Sequence, residues 1–174
     1  MNVIQSLIEE YCKEIQKDLK IPLKERQYTF EGDHFAGLEF NNKVVFTIPT
    51  LMRALIKRMS INQFMNQIFG VVVHELVIGH YSEVVDNPSQ DALLFIQNHY
   101  PPESYINEFL PVHFQLAIEG SASCQFVLRY LGYGDLFDSL IKIGRNVRSR
   151  SLTKPEWSFI FPQESSYGSG CLLK

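Results

Sequence analysis

The sequence contains little cysteine, and no two cysteines lie at the short spacing of a zinc or redox site. The three that occur, Cys12, Cys124 and Cys171, are odd in number and far apart. A disulfide framework or a thiolate metal site needs several cysteines at regular spacings. Neither is therefore expected to organise this fold, and the cysteine usage predicts a reducing, cytoplasmic location.

Long hydrophobic runs and a large net charge are also missing. The most apolar segment, residues 68–79, is interrupted by His74 and Glu75, so it falls short of the roughly 20 apolar residues that a membrane span needs. The 16 Lys and Arg residues against 19 Asp and Glu give a formal net charge of -3. Because this charge provides no overall attraction to nucleic acid or to an anionic membrane, we expect neither as a partner.

The sequence does contain enough apolar material for one packed domain. Of its 174 residues, 45% are hydrophobic and 13% are aromatic, which is typical of globular proteins and too apolar for a disordered chain. This length supports one substantial hydrophobic core. We predict a single domain over residues 1–174, in which residues from about 165 to 174 form a flexible tail rich in serine and glycine.

Hydrophobic periodicity predicts a mainly helical domain of the α+β class. Apolar residues recur at helical spacing over residues 2–20. Ser60 and Gln63 form a capping box in front of another helix, whose apolar residues cover too wide an arc for a surface helix. We therefore expect this helix to be buried.

A small antiparallel β-hairpin is predicted between these two helices. Short extended runs at residues 37–40 and 43–48 are separated by Asn41 and Asn42. Asparagine tolerates the positive backbone angles of a two-residue hairpin turn. The pattern therefore predicts two strands joined by these asparagines.

Four further helices are predicted from apolar spacing and from helix-breaking residues. They span residues 49–59, residues 92–96, Pro111 to Leu131, and about Asp135 to Ile143. Proline is accepted in a first helical turn, and Gly132 is a natural stop for the third of these helices. That long helix carries Glu119, and its apolar neighbours favour burial of this carboxylate.

The buried helix contains residues that are costly to bury without a function. The segment from His74 to His80 places a His-Glu pair, a glycine and a second histidine among valine, leucine and isoleucine. A buried carboxylate without a partner costs on the order of several kcal/mol or is forced to take up a proton. Glu75 therefore requires a cation or a polar network nearby, and a bound Zn²⁺ would meet that requirement.

The two histidines are spaced differently from those of the usual zinc-peptidase helix, His-Glu-x-x-His, in which both rings share one face. Ile78 stands where that motif has its second histidine, and His80 comes two positions later. Six residues of a straight α-helix correspond to about 240° of rotation, so the rings diverge unless the helix is distorted. Gly79 is the residue at which a left-handed end or a bulge could bring His80 back.

The segment from His74 to His80, together with the run from Glu119 to Ala122, resembles the signature of a zinc-peptidase-like, gluzincin-related family. That signature is His-Glu-x-x-Pro-Gly-His-His, followed tens of residues later by Glu-Gly-Trp-Ala. The resemblance implies a zincin-like fold in which a metal helix lies beside the hairpin. It also implies that His74, His80 and Glu119 bind zinc and that Glu75 is the general base.

The resemblance covers about 50 of the 174 residues, and the chain departs from the signature at three positions. Ile78 stands in place of proline, Tyr81 in place of the last histidine, and Ser121 in place of tryptophan. Without the proline, Gly79 alone would have to distort the helix. The match therefore implies a short, divergent member of the family.

The chemistry implied by this ligand set is hydrolysis by a zinc-dependent metallopeptidase. Three nitrogen and oxygen ligands leave the fourth zinc position to water, which is the arrangement of a catalytic site. Zinc lowers the pKa of that water to about 7, and a carboxylate such as Glu75 can pass its proton to a leaving amine. The expected substrate is a peptide or a small amide, which the exposed edge of the hairpin could align.

Two other functions stay open from the sequence: a non-catalytic zinc-binding or regulatory relative, and a metal-free helical interaction protein with a buried polar network. Glu83 is a rival to Glu119 as the carboxylate ligand. The residues that could stabilise an oxyanion are Arg145, Arg148, Tyr130, Tyr133 and Tyr167. The remaining histidines, His34, His99 and His113, have no partner at ligand spacing and are predicted to be structural.

Overall fold

A computed structural model describes residues 2–50, 59–78, 94, 98 and 106–161. Its helices are α1 (Val3–Leu19), α2 (Ile61–Val72), α3 (Ile106–Ile118), α4 (Ala122–Tyr130), α5 (Gly134–Ser151) and α6 (Pro155–Ile160), and a π-helical segment spans Val73–Ile78. The strands are β1 (Arg26–Phe30), β2 (Ala36–Phe40) and β3 (Lys43–Ile48). The prediction of a mainly helical α+β domain is confirmed. The predicted helices at residues 49–59 and 92–96 lie largely outside the described residues, as does the predicted tail.

Helix α1 forms as the sequence predicts and covers one side of the core. The Asn2 side chain accepts a hydrogen bond from the Ile4 backbone N–H at 2.9 Å and so caps the first turn. The helix ends at Lys20, which has a left-handed φ of 57° and donates its N–H to the Gln16 carbonyl. Its apolar stripe is buried against α5 and α2 and comprises Ile4, Leu7, Ile8, Tyr11, Cys12 and Ile15.

The predicted hairpin is confirmed as β2 and β3. These strands pair antiparallel from Ala36 opposite Thr47 to Phe40 opposite Lys43. Asn41 and Asn42 join them with φ values of 49° and 61°, the positive angles that a tight two-residue turn requires. The turn residues therefore set the register of the pair.

Strand β1 was not predicted, so the expectation of a lone hairpin is incomplete. It pairs parallel to β3, from Arg26 opposite Val44 to Phe30 opposite Ile48, and the sheet order is β1-β3-β2. Its sequence shows no clear apolar alternation. Arg26 instead forms a bidentate pair of hydrogen bonds with the Glu9 carboxylate of α1, and Tyr28 also donates to that carboxylate. A polar network therefore attaches this strand to the helix.

Helix α2 begins at the predicted capping box and is buried as expected. The Ser60 side chain accepts from the Gln63 N–H at 3.1 Å, and the Gln63 side chain accepts from the Ser60 N–H at 2.8 Å. From Val73 onward the winding widens into a π-helix that continues to Ile78. The sequence predicts a distortion at Gly79, whereas the described distortion precedes that residue, and Gly79 itself lies outside the described residues.

The prediction of one helix from Pro111 to Leu131 is wrong. Helix α3 starts five residues earlier, contains Pro111 and ends at Ile118. Gly120 then adopts a φ of 113°, which a glycine allows at no steric cost and which ends the helix. Ser121 caps the separate helix α4 by accepting from the Cys124 N–H. Glu119 therefore lies in the turn between two helices and not inside one.

Helix α5 extends one residue before and eight residues beyond the predicted range, and it packs closely on α2. A Cβ at Gly144 would lie 2.7 Å from the ring of Phe69, and that ring stacks on Tyr11 of α1 with a centroid distance of 4.5 Å. The small residue therefore lets three helices meet in the core. No helix in the described part of the chain is long and apolar enough to cross a bilayer.

Candidate functional site

A cluster of polar side chains lies where the π-helical segment, α3 and β2 meet. The π-helical segment contributes His74 and Glu75, which are 16% and 19% exposed at their side chains. Helix α3 packs on this segment and faces it with Glu108 and Gln115. The predicted pair His74 and Glu75 is therefore placed beside further acidic and amide groups of another helix.

Each ring nitrogen of His74 has a defined partner. Nδ1 lies 2.8 Å from Oε1 of Gln115. On the other side of the ring, Nε2 lies 3.2 Å from Oε2 of Glu108 and 4.0 Å from Oε1 of Glu75. The imidazole is thus held by an amide at one nitrogen and faces two carboxylates at the other.

Glu119 determines the orientation of the Gln115 amide. The amide nitrogen of Gln115 donates to Oε1 of Glu119 at 3.2 Å, so its oxygen is the atom that meets the histidine. An amide oxygen only accepts hydrogen bonds, and Nδ1 of His74 must therefore carry the proton of this contact. In the neutral ring, the free lone pair consequently belongs to Nε2.

A glycine on α2 makes room for this arrangement. A Cβ at Gly70 would lie 3.1 Å from the Gln115 carbonyl oxygen and 3.2 Å from Oε1 of Glu119. Both distances are shorter than ordinary van der Waals contacts. The absence of a side chain at Gly70 therefore lets the end of α3 approach the helix that leads to His74.

Glu75 is held in a partly dehydrated position between the π-helical segment and β2. A Cβ at Gly37 of β2 would lie only 2.7 Å from Cγ of Glu75. Burial raises the pKa of the Glu75 carboxyl, His74 opposes that rise, and the negative charge of Glu108 adds to it. Glu75 is accordingly predisposed to accept a proton more readily than an exposed glutamate.

A second charged pair lies within electrostatic range of Glu75. Lys24 donates to Glu39 of β2. The Glu39 carboxylate raises the pKa of Glu75 further, whereas the Lys24 ammonium lowers it. These two opposing charges leave burial as the main cause of the raised pKa.

Glu119 differs from its predicted environment. The residue is exposed in the turn after α3, so the expectation that it is buried is wrong. Its carboxyl is nevertheless partly shielded from water, which raises its pKa, and the hydrogen bond from Gln115 opposes that rise. Glu119 is connected to His74 through Gln115, whose amide is hydrogen-bonded to both side chains.

The described residues supply only part of the donor set that a metal ion needs. Across residues 2–50, 59–78 and 106–161, no three His, Cys, Asp or Glu side chains are arranged to hold a metal. His80, the predicted second histidine, lies outside the described residues, as do Gly79 and Glu83. A third donor would therefore have to come from residues outside these ranges.

Two of the described donors fit zinc in geometry and in chemistry. Two ligands of a tetrahedral zinc, each bonded at about 2.0–2.1 Å, lie about 3.3 Å from each other. The 3.2 Å between Nε2 of His74 and Oε2 of Glu108 agrees with that separation. An imidazole nitrogen and a carboxylate oxygen are both common zinc ligands. The same distance also suits an ion pair, so the contact by itself is compatible with a metal-free network.

Sequence reasoning did not find Glu108 and Gln115. They are seven residues apart, which places both on one face of α3, and Glu119 follows four residues after Gln115, just beyond the end of the helix. This polar stripe is a usable signal. It was missed because the predicted helix began at Pro111, after Glu108.

The predicted oxyanion partners occupy several places in the fold. Arg148 of α5 donates to the Asn66 side chain at 2.8 Å, and Arg145 on the same helix is exposed. Tyr130 is 67% exposed at the end of α4, and Tyr133 is half-buried against Phe114. Tyr167 lies outside the described residues.

The other described histidines have partners consistent with structural roles. His113 is buried in α3, and its Nδ1 lies 2.8 Å from the Phe109 carbonyl oxygen one turn earlier. His34 is exposed beside Asp33, at 3.1 Å. His99 lies outside the described residues.

Comparison of this chain with known protein families, with curated proteins and with solved structures gives no match. The resemblance to the zinc-peptidase-like family stays a prediction from the two short motifs. The function is therefore argued from the geometry around His74.

Proposed function

We propose that this protein is a zinc-dependent metallopeptidase of the zincin type, with Glu75 as its general base. His74 and His80 would bind the metal, together with a carboxylate presented by α3 or by the turn that follows it. The single observation that carries the proposal is the orientation of His74, whose Nε2 faces two carboxylates while Gln115 holds Nδ1.

The fixed orientation of His74 supports a metal-binding role. Metal-ligating histidines almost always donate their second ring nitrogen to a carboxylate, a carbonyl or water, which fixes the tautomer and increases the basicity of the ligand nitrogen. Gln115 provides such an acceptor at 2.8 Å. The π-helical winding over Val73–Ile78 is a further support, because π-helical turns occur frequently at functional sites.

Glu75 is placed to act as the base. Its Oε1 lies 4.0 Å from Nε2 of His74, which is farther than the about 3.3 Å that separates two ligands of one zinc ion, so Glu75 would lie beside a metal held by that nitrogen without binding it. Zinc, when bound, supplies a Lewis acid that acidifies a water molecule. Glu75 would take the proton of the attacking water and pass it to the leaving amine.

The sheet offers a means of aligning an extended substrate. In the described part of the chain, β2 lies at the edge of the sheet, and its Gly37 adjoins Glu75. An extended peptide can add to such an edge through backbone hydrogen bonds. Leu38 and Phe40 of this strand are 66% and 61% exposed, so apolar peptide side chains would find apolar contacts there. A peptide is therefore the favoured substrate class, and a small amide would need the same base.

The first experiment measures metal in untagged protein purified without added zinc. The proposal expects about one equivalent of Zn²⁺, or its uptake on titration, and loss of that binding in His74→Ala. A content below about a tenth of an equivalent that added Zn²⁺ does not restore would reject the proposal. In that outcome, the His74 cluster is a metal-free polar network.

The second experiment tests catalysis with a mixture of peptides. Glu75→Gln should keep the zinc and lose hydrolysis, whereas Glu31→Gln, at an exposed position just after β1, should keep both. If the wild-type protein binds zinc but cleaves no peptide or small amide, the site is that of a non-catalytic zinc-binding relative.

A further inference from the structure

We infer that Glu108 is the carboxylate ligand of the metal and that Glu119 is a positioning residue, which acts on His74 through Gln115. This inference rests on the proposed function and revises its ligand set. The resemblance implies Glu119 as a ligand, whereas the contacts of His74 place Glu108 at the ligand nitrogen.

The first argument is the identity of the ring nitrogen that each residue meets. Gln115 engages Nδ1, and only Nε2 is left with a lone pair for a metal. Glu108 lies 3.2 Å from that Nε2. Glu119 is on the opposite side of the ring, behind Gln115, where its carboxylate accepts from the amide nitrogen.

The second argument is the distance between the two carboxylates along α3. From Glu108 to the end of α3 at Ile118 is ten residues, about 15 Å of helix at 1.5 Å per residue, and Glu119 lies one residue farther on. One ion at Nε2 of His74 is therefore adjacent to the start of α3, where Glu108 lies in the first turn. Glu119 could reach this ion only by breaking its contact with Gln115.

The third argument is the solvent access of Glu108. Its side chain is 61% exposed, whereas that of His74 is only 16% exposed. A carboxylate at the rim can adjust its position to a metal and leaves one side of the site open to water and substrate. The open coordination position of a catalytic zinc needs such access.

The test measures zinc affinity by competition with a chromogenic chelator in wild type and in isosteric variants. Glu108→Gln should weaken binding by more than about 100-fold, beyond the usual 10–100-fold effect of outer-shell residues. Glu119→Gln should weaken it by about 10-fold, and Gln115→Leu by a similar factor. Glu156→Gln, an exposed glutamate of α6, is the matched control and should leave the affinity unchanged. Circular dichroism melts establish that each variant is folded.

A double variant separates a positioning residue from a ligand. If Glu119 acts only through Gln115, the variant carrying both Gln115→Leu and Glu119→Gln should bind zinc within about twofold of Gln115→Leu alone. With cobalt in place of zinc, the visible absorption spectrum should change in Glu108→Gln and be retained in Glu119→Gln, because only the former loses a ligand.

The opposite pattern overturns the inference. Loss of binding in Glu119→Gln with wild-type affinity in Glu108→Gln would make Glu119 the ligand and leave the proposed function standing. Additive losses in the double variant would contradict the action through Gln115. A wild-type protein that binds no metal would reject both this inference and the proposed function.

Discussion

A glycine-to-alanine substitution at Gly37 tests whether β2 and Glu75 are packed as closely as described. The added Cβ would lie 2.7 Å from Cγ of Glu75, and 3.2 Å from both Phe46 and Val71. Overpacking of this kind costs about 1–3 kcal/mol. Replacing a glycine inside a strand returns about 0.5–1 kcal/mol. We therefore expect Gly37→Ala to lower the free energy of unfolding by about 1 kcal/mol.

The assay is urea denaturation followed by circular dichroism in the presence of a chelator, with Gly134→Ala as the matched control. At Gly134 the added Cβ would meet only ordinary contacts, the nearest at 3.4 Å from Arg129. This control should be neutral or slightly stabilising. It separates the effect of close packing from the general effect of removing a glycine.

A double-mutant cycle with Glu75→Ala assigns the cost to its source. This second change removes Cγ of Glu75, so the remaining contacts of the new Cβ are those at 3.2 Å to Phe46 and Val71. The cost of Gly37→Ala should then fall by at least about 0.5 kcal/mol. An equal cost in both backgrounds would refute the close approach of β2 to Glu75 on which the placement of the base depends.

Three further predictions concern the frame that positions the site. Gly144→Ala should lower the free energy of unfolding by about 1–3 kcal/mol, measured in urea, because the new Cβ would lie 2.7 Å from the ring of Phe69. Glu9→Gln should lower stability at pH 7 by up to about 1 kcal/mol, since the hydrogen bond from Arg26 lowers the pKa of the partly exposed Glu9 carboxyl. That stability is present above pH 4.5 and is lost as the pH falls through the lowered pKa of Glu9, so the two proteins should converge in acid. Ser60→Ala should cost about 1 kcal/mol through loss of the helix cap, measured by thermal unfolding.

Each of these three has either a result that would contradict it or a matched control. For the core glycine, wild-type stability of Gly144→Ala would contradict the close packing of α5 on α2. For the ion pair, a stability difference that persists undiminished well below pH 4 would assign the effect to packing instead of charge. For the cap, Ser60→Asp keeps an acceptor and should retain most of the stability that Ser60→Ala loses.

The sequence predicts those elements whose local chemistry decides their structure. The capping box at Ser60 and the asparagine turn at Asn41 are formed by neighbours in sequence, and both occur as predicted. Strand β1 was missed because its stability comes from a partner distant in sequence, the contact of Arg26 with Glu9. Polar contacts of this kind leave no hydrophobic period to detect.

Of the candidate site, only the pair His74 and Glu75 was predictable from the sequence. The apolar surroundings of His74 and Glu75 marked the pair as unusual, and the structure adds polar neighbours from another helix. The expectation that Glu119 is buried failed because Gly120, with its φ of 113°, ends α3 there. The same angle gives a purely conformational reason for the glycine of the Glu-Gly pair.

Because the winding over Val73–Ile78 is π-helical, the number of residues between two positions there does not give their angular separation by the α-helical rule. A π-helical ring closes one residue later than an α-helical ring, so positions before and after the segment lose the phase relation that a uniform helix would give them. A single-residue deletion there would favour regular α-helical winding, because it removes the extra residue of the wider ring. Spacing rules established on α-helices therefore do not carry across this stretch, and the interval of six between the two histidines is no measure of the angle between their rings.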